Sequence, residues 1–293
     1  MTRTKSSKPP GASLLPQRVH LNAPAKINLF LKVLGQRPDG YHNLYTLMAR
    51  LQLADGIDLT FGREGLSFEG DVRPDESFFK DNLAVKAVKA SEEFTGPLGP
   101  VHVHIRKNIP LGAGLGGGSS DAAAVLNYFG TKAAVPRERL CQTALSLGSD
   151  VPFFLGPKTA LAEGRGEILT EDRRALPPWV LLVKPSIMVS TGRIFRELAL
   201  TKAAGSNNLG SNFRPGAECS LGENDLSAAA AGLFPELKET AQLAAGLGGL
   251  AAGMTGSGPT FWILFEQEQK ALSAQDSLRD SSLWTCLTGW ADS

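Results

Sequence analysis

The sequence lacks any apolar run of the roughly 18 residues that a membrane-spanning helix requires. Its first residues, Met1 to Gln17, carry Lys5, Lys8, Pro9, Pro10 and Pro16 but no signal-peptide apolar core. They read as a disordered tail. Cysteine is scarce: Cys141, Cys219 and Cys286 stand far apart with no Cys-x-x-Cys pair. That excludes a disulfide framework and suits the reduced thiols of a cytoplasm. Neither sign of charge dominates, with 30 Lys and Arg against 29 Asp and Glu. The basic residues are spread along the chain, which argues against nucleic acid as the main partner, because phosphate-backbone binding needs a basic stripe. There are no internal repeats and no coiled-coil heptads. At 293 residues the chain has room for one large domain or two ordinary ones.

What is abundant is glycine, 32 in all. Five of them cluster in Pro110-Leu-Gly-Ala-Gly-Leu-Gly-Gly-Gly-Ser-Ser120, which runs into Asp121-Ala-Ala-Ala-Val-Leu-Asn-Tyr-Phe129. Glycine lets a ligand approach the main chain closely. Ser119 or Ser120 is placed to cap the helix that follows. A helix start offers unpaired N–H groups and a favourable dipole, so the run reads as an anion loop, for phosphate in the first instance. A flexible linker is the plainer alternative, but linkers rarely run into a capped, alanine-rich helix. The loop is not a Walker loop, since it holds no lysine. Gly112, Gly114 and Gly117 match a dinucleotide spacing, yet the loop sits mid-chain and lacks the acidic ribose partner.

Around this loop the pattern is mixed. Val19 to Leu34 reads as strand, break, strand. Ile27, Leu29 and Leu31 fall on one face, and Lys26, Asn28, Phe30 and Lys32 on the other. That second face either serves a site or is solvated. Gln36-Arg-Pro-Asp-Gly40 is a turn, followed by Tyr41-His42-Asn43 and apolar Leu44 to Leu53. Strands are predicted at Ile57–Phe61 and Val101–Ile105. His102 and His104 share a face of the latter, but no further ligands complete a metal site, so an exposed strand face is the simpler reading. Helices are predicted over Asn82–Phe94 and Pro136–Leu147, the second stopped by Gly148. Asp150 then lies at a helix-to-loop junction, a frequent place for functional residues. Cys141 packs on its own helix with Leu140 and Leu145.

Beyond residue 158, strands flank a Gly-Arg-Gly turn within Ala160–Leu169, and Trp179–Lys184 is a buried strand. Thr191 caps a helix to Leu200. Gly205–Gly222 is a polar, mobile surface loop. Asn224-Asp-Leu226 opens a helical stretch and Glu236–Leu247 is helical. A second glycine loop, Thr255-Gly-Ser-Gly-Pro259, leads into the strand Thr260–Phe265.

Three of these segments occur together and in order: Pro24-Ala-Lys26-Ile-Asn28-Leu, the loop Pro110–Ser120, and Thr255–Pro259. The order resembles the galactokinase, homoserine kinase, mevalonate kinase and phosphomevalonate kinase (GHMP) superfamily. Within it, Arg37-Pro-Asp-Gly-Tyr-His42, Gly-Gly-Gly-Ser-Ser120 and Gly148-Ser-Asp-Val-Pro-Phe-Phe154 are most similar to the family of 4-diphosphocytidyl-2-C-methyl-D-erythritol kinases, of the non-mevalonate isoprenoid route. The resemblance spans residues 19 to about 268. It implies an α+β, two-domain GHMP kinase fold. After the tail at 1–17, a ribosomal-S5-like sheet-plus-helix domain would cover 18–158 and a ferredoxin-like domain 159–293.

The resemblance further implies ATP and Mg²⁺ as cofactors and transfer of the γ-phosphoryl group to the 2-hydroxyl of the methylerythritol moiety. Pro110, Leu111, Gly112, Ala113, Gly114, Leu115, Gly116, Gly117, Gly118, Ser119 and Ser120 would hold the triphosphate. Asp150 would accept the hydroxyl proton, with Lys26 paired to it. Asn28, Tyr41, His42, Thr191 and Phe195 would contact the substrate, Tyr41 and His42 closing a cytidine pocket with Phe195 on its other side. Metal ligands stay open, with Ser119 and Ser120 as candidates. The implied enzyme is a cytoplasmic monomer or homodimer with a small-molecule substrate. Three competitors remain: another small-molecule GHMP kinase, for homoserine or a mevalonate derivative; a non-catalytic nucleotide-binding protein on the same fold; and a nicotinamide-dependent oxidoreductase. The Tyr41-His42 pair, retention of both Lys26 and Asp150, and the missing ribose acid speak against them in turn.

Overall fold

From Arg18 to Gln36 the chain is rich in aliphatic residues, and it forms one long strand, β1 (Arg18–Gln36), without the expected break. The computed structural model describes residues 16–70, 76–203 and 219–291. Most of the N-terminal tail and most of the predicted loop at 205–222 lie outside these. The Pro-Asp-Gly turn follows β1, with Gly40 N–H donating to Arg37 O and Asp39 accepting from Tyr41 N–H. The chain then returns as β2 (His42–Phe61), which absorbs the apolar stretch from Leu44 and the predicted strand at Ile57. Next come β3 (Gly65–Glu69), α1 (Glu76–Lys80), α2 (Leu83–Thr95) and β4 (Val101–Arg106). After the glycine loop follow α3 (Gly117–Lys132), α4 (Arg137–Leu147), α5 (Val151–Leu155), β5 (Thr159–Gly164) and β6 (Ile168–Glu171).

These strands form one sheet, ordered β3-β4-β2-β5-β6, with β1 also pairing β2. β1 runs antiparallel to β2 along its length, while β4 and β5 pair with the two ends of β2. The chain leaves this sheet only after Glu171. Residues 159–171, assigned by sequence to the second domain, are therefore strands of the first sheet.

The rest of the chain supplies β7 (Trp179–Lys184), α6 (Thr191–Ala203), α7 (Ser227–Leu233), α8 (Pro235–Gly246), β8 (Ala251–Met254), β9 (Phe261–Phe265), α9 (Glu268–Ser277) and β10 (Trp284–Thr288). Its sheet runs β10-β7-β9-β8, all antiparallel. With helices between β7 and β8 and between β9 and β10, this is the ferredoxin-like arrangement. The fold is α+β as the sequence implied. The sequence pattern does not announce β3, α1, α5, β8, α9 and β10, which are short or weakly patterned.

Four layers result. α2 to α5 cover one face of the first sheet through Ile57, Leu59, Val103, Leu126 and Phe129. α6 to α9 cover the second sheet through Leu181, Val183, Ile194 and Ile263. Between the sheets lie Ile27, Leu47, Leu51, Val180, Leu182 and Trp262. β7 shows the logic: Val180 and Leu182 face the first sheet, Leu181 and Val183 the helices, so a strand buried on both sides has no polar face. Among the described residues, no helix is long and apolar enough to cross a membrane.

Candidate active site

The site is built on β1. A register shift between Asn28 and Phe30 inserts one extra residue against β2. Leu29 and Phe30 consequently enter the same core, and Leu31 and Val33 pass to the second. The strict alternation expected from Ile27 to Leu31 therefore does not hold. Lys26 and Asn28 are buried rather than solvated. A buried ammonium needs partners. Lys26 Nζ donates to Asn28 Oδ1 at 2.8 Å and lies 3.6 Å from Asp150 Oδ2.

Asn28 is fixed on all sides. Its Nδ2 donates to Thr46 Oγ1 at 2.9 Å, and its main-chain N–H donates to Thr255 Oγ1 at 2.9 Å. Its carbonyl accepts from Trp262 Nε1 at 2.9 Å. The second glycine loop thus locks the strand that carries Lys26. Two glycines of the first loop make this approach possible. Gly114 and Gly116 have φ of 73° and 72°. A Cβ at Gly114 would lie 2.6 Å from Gly258 O, and one at Gly116 3.0 Å from Lys26 Cγ.

Asp150 immediately precedes α5, and its side chain makes no capping bond. Its carboxylate is left for Lys26. The far end of α5 is held by two arginines, as cations at a helix C-terminus should be. Arg50 Nη2 donates to Phe153 O and Gly156 O, both at 2.6 Å, and Arg137 Nη2 donates to Leu155 O at 2.7 Å. Arg50 also lies over the Phe153 ring, 5.3 Å from its centroid.

The glycine loop leads straight into α3, but neither serine caps it. Gly116 is the cap residue, in the left-handed conformation, and makes no side-chain bond. Ser119 and Ser120 sit inside the first turn instead. Ser120 Oγ is buried without a partner, and Ser119 is half-buried beside Gly148. Beneath this turn lies a cluster that sequence reasoning missed. Lys107 Nζ is paired with Asp55 Oδ2 and, at 3.0 Å, with Asp121 Oδ2, all three groups being buried. Asp55 Oδ1 also accepts from Asn108 and Ile109 N–H at 2.7 and 2.8 Å. Burial pushes the Asp121 carboxyl up, Lys107 opposes this and Asp55 adds to it, leaving it at about 7.

The aromatic residues expected around the base lie near one another. His42 stacks on Phe195, centroids 4.7 Å apart at 27°. Tyr41, half exposed, has the Arg165 guanidinium over its ring at 3.7 Å. Thr191 opens α6 as its first residue rather than capping it. Its hydroxyl meets Ser257 Oγ at 2.8 Å, while Ser190 O accepts from Arg193 and Ile194 N–H. His104 meets Ser67 Oγ at 2.8 Å and Glu69 Oε2 at 3.5 Å. Among the described residues, no group of three His, Cys, Asp or Glu side chains is placed to hold a metal.

A buried Lys–Asn pair facing a carboxylate beside two glycine loops puts a fixed positive charge and a proton acceptor in one place, two of the elements that phosphoryl transfer uses. Comparison with known proteins decides among such folds. Residues 82–156 match the GHMP kinases N terminal domain, and residues 213–282 match the GHMP kinases C terminal domain. The 4-diphosphocytidyl-2-C-methyl-D-erythritol kinase of Geobacter metallireducens is 39% identical over 279 residues, covering 90% of this chain and 95% of its own. That of Geobacter sulfurreducens is 38% identical, covering 91% and 96%. The chain belongs to the 4-diphosphocytidyl-2-C-methyl-D-erythritol kinase family. A crystal structure of a 4-(cytidine 5'-diphospho)-2C-methyl-D-erythritol kinase agrees, with 38% identity, a TM-score of 0.71, and coverage of 93% of this chain and all of the other. Within this kinase family's fold, the structure gathers Lys26, Asn28 and Asp150 with both glycine loops. It adds Thr46, Thr255 and Trp262 as their supports. Of these, only Thr255 stood in a motif visible beforehand.

Proposed function

We infer that this chain transfers the γ-phosphoryl group of ATP to the 2-hydroxyl of 4-diphosphocytidyl-2-C-methyl-D-erythritol. The observation that carries the mechanism is the Lys26–Asp150 pair, 3.6 Å apart beside the glycine loop. In a loose phosphoryl-transfer transition state, positioning and charge stabilisation dominate. Asp150 orients the acceptor hydroxyl and takes its proton. Lys26, held by Asn28, offsets the negative charge that develops there. Main-chain N–H groups of residues 110–120 hold the triphosphate.

The residues fit a nucleotide. Gly118 is the test: a Cβ there would meet only Leu83 Cδ1, at 3.9 Å, so the start of α3 is open to an incoming phosphate. Mg²⁺ would arrive on the phosphates and neutralise part of their charge, as magnesium commonly does when few carboxylates are offered. Since Ser120 Oγ is buried, Ser119 is the loop hydroxyl left to reach it. Tyr41, His42 and Phe195 would take the cytosine, and Thr191 the substrate side of the second glycine loop.

The deciding experiment is a coupled ADP-release assay with the diphosphocytidyl compound, homoserine and mevalonate side by side. Turnover of the first alone is expected. Faster turnover of homoserine or mevalonate would replace this assignment by another kinase of the superfamily.

A further inference from the structure

One buried carboxylate ties down both ends of the first glycine loop. The β2–β4 ladder ends where Gly56 pairs with Arg106, just before the chain enters the loop. Asp55, next to Gly56 on β2, is completely buried. Where main-chain pairing stops, its side chain takes over. Asp55 Oδ1 accepts from the N–H groups of Asn108 and Ile109 at 2.7 and 2.8 Å, the two residues before Pro110. Asn108 Nδ2 adds a bond to Ala54 O at 2.7 Å. Those bonds fix the entry to the loop. Asp55 Oδ2 fixes the exit through Lys107. The Lys107 ammonium pairs with Oδ2 and also donates to Asp121 Oδ2 at 3.0 Å, in the second turn of α3. A Cβ at Gly117, where α3 begins, would lie 2.9 Å from Lys107 Nζ and 3.3 Å from Asp55 Oδ2. Between these anchors, Lys26 N–H donates to Leu115 O at 2.9 Å.

We propose that Asp55 and Lys107 are positioning residues for phosphoryl transfer, setting the two ends of the glycine loop relative to each other so that its main-chain N–H groups stand aimed before ATP arrives. The role rests on the reading of residues 110–120 as the triphosphate site. Neither side chain touches the nucleotide; both act through the loop. Five glycines between Gly112 and Gly118 give this segment much freedom to lose. A ligand that has to order such a loop binds more weakly, whereas donors fixed in advance need no reorganisation during the reaction. Stability alone does not call for charge at this place. Burying three ionic groups carries a heavy desolvation cost, and well-packed apolar side chains often serve a core as well or better. Ionic hydrogen bonds supply what apolar contacts lack, which is direction. A carboxylate with an oxygen on each of two chain segments holds both at set distances.

Three variants of the full chain test this, each assayed well below its melting temperature: Asp55→Asn, Lys107→Met, and Lys107→Met combined with Asp121→Asn. Asp55→Asn keeps an oxygen for the two N–H groups and loses the ionic link to Lys107. Each single variant should raise the KM for ATP, and the dissociation constant of ADP read by calorimetry, by about tenfold, with the acceptor KM within about twofold of native. The double variant removes both partners of one buried pair, so its melting temperature should recover while its KM for ATP stays raised. Recovery of both together would make the cluster a structural feature only and overturn the proposal. A native KM for ATP in folded Asp55→Asn and Lys107→Met enzymes overturns it too. If neither single variant folds, a native KM for ATP in the double variant does so. Gly118→Ala separates the two levels. No change in ATP affinity with Gly118→Ala means that the phosphate reading of the loop has failed. A change with Gly118→Ala and none with Asp55→Asn or Lys107→Met means that only the role of the anchors has failed.

Discussion

Lys26 reaches to within 3.6 Å of Asp150, although one lies deep in the first strand and the other before a five-residue helix far along the chain. The lysine is 6% exposed and the aspartate 39%. The pair is a buried cation facing a carboxylate open to the cleft. Asp150→Asn keeps the shape and removes the acceptor, so single-turnover phosphoryl transfer should fall by about 10² to 10⁴. Lys26→Met should cost a similar factor. The double variant should lose less than the product of the two, because groups in one unit do not act additively. Near-native transfer by Asp150→Asn would remove Asp150 from the mechanism.

Thr255 is the joint between the second glycine loop and Asn28, accepting from the Asn28 N–H at 2.9 Å with its side chain buried. Thr255→Val keeps the shape and deletes the hydroxyl. A buried N–H left unpaired costs about 1–3 kcal/mol, to be read in a denaturant melt. Turnover should fall too, since Asn28 then no longer holds Lys26 in register. A variant as stable and as active as the native enzyme would contradict this.

Two adjacent glycines should behave differently. At Gly118 the only neighbour of an added Cβ is Leu83, so Gly118→Ala should raise the KM for ATP with little change in melting temperature. At Gly117 the same atom would lie 2.9 Å from Lys107 Nζ and 3.3 Å from Asp55 Oδ2. Gly117→Ala should therefore lower stability by about 1–3 kcal/mol, the usual cost of overpacking. An unchanged KM for ATP in Gly118→Ala would detach the start of α3 from the phosphates.

Asp121 gives a pH signature. Its native value, pushed up to about 7 by burial and by Asp55, exceeds that of an unfolded aspartate. Between the two values the folded protein keeps a proton that the unfolded chain has released. The contribution of this group to stability is thus whole in acid and declines as pH rises through the unfolded value and on to about 7. Melts of the native protein and Asp121→Asn across that range should show the native protein losing ground to the variant as pH rises. A pH-independent gap between the two would refute the assignment.

Much of the site was legible in the chain because it rests on local signals. The glycine loop and the Pro-Asp-Gly turn are short-range patterns, and each lies where the sequence put it. What escaped depends on long-range packing. Nothing in Leu29-Phe30 announces the extra residue that turns two neighbours into one core. Asp55, Lys107 and Asp121 are ordinary charges in three separate segments, and only their joint burial makes them a cluster. The predicted serine cap failed because the left-handed Gly116 already turns the chain into α3, leaving both hydroxyls inside its first turn. Arg165 is a turn residue in the sequence, and only the register of β5 on β2 brings it over the Tyr41 ring.

β1 belongs to the first sheet, yet its outer half is also laced to the second half of the chain. Leu31 N–H donates to Glu223 O, Gly222 and Asp225 N–H donate to Leu29 O and Leu31 O, and Val33 N–H donates to Asp225 Oδ2. Lys32 adds an ion pair to Glu223 at 2.6 Å. Two halves riveted along one strand cannot swing apart about it without breaking a run of main-chain bonds. The cleft therefore has a fixed gauge where Lys26 and Asn28 lie, and substrates must enter past its loops rather than between parting jaws. The same seam makes the halves a single cooperative unit, which scanning calorimetry should record as one unfolding transition.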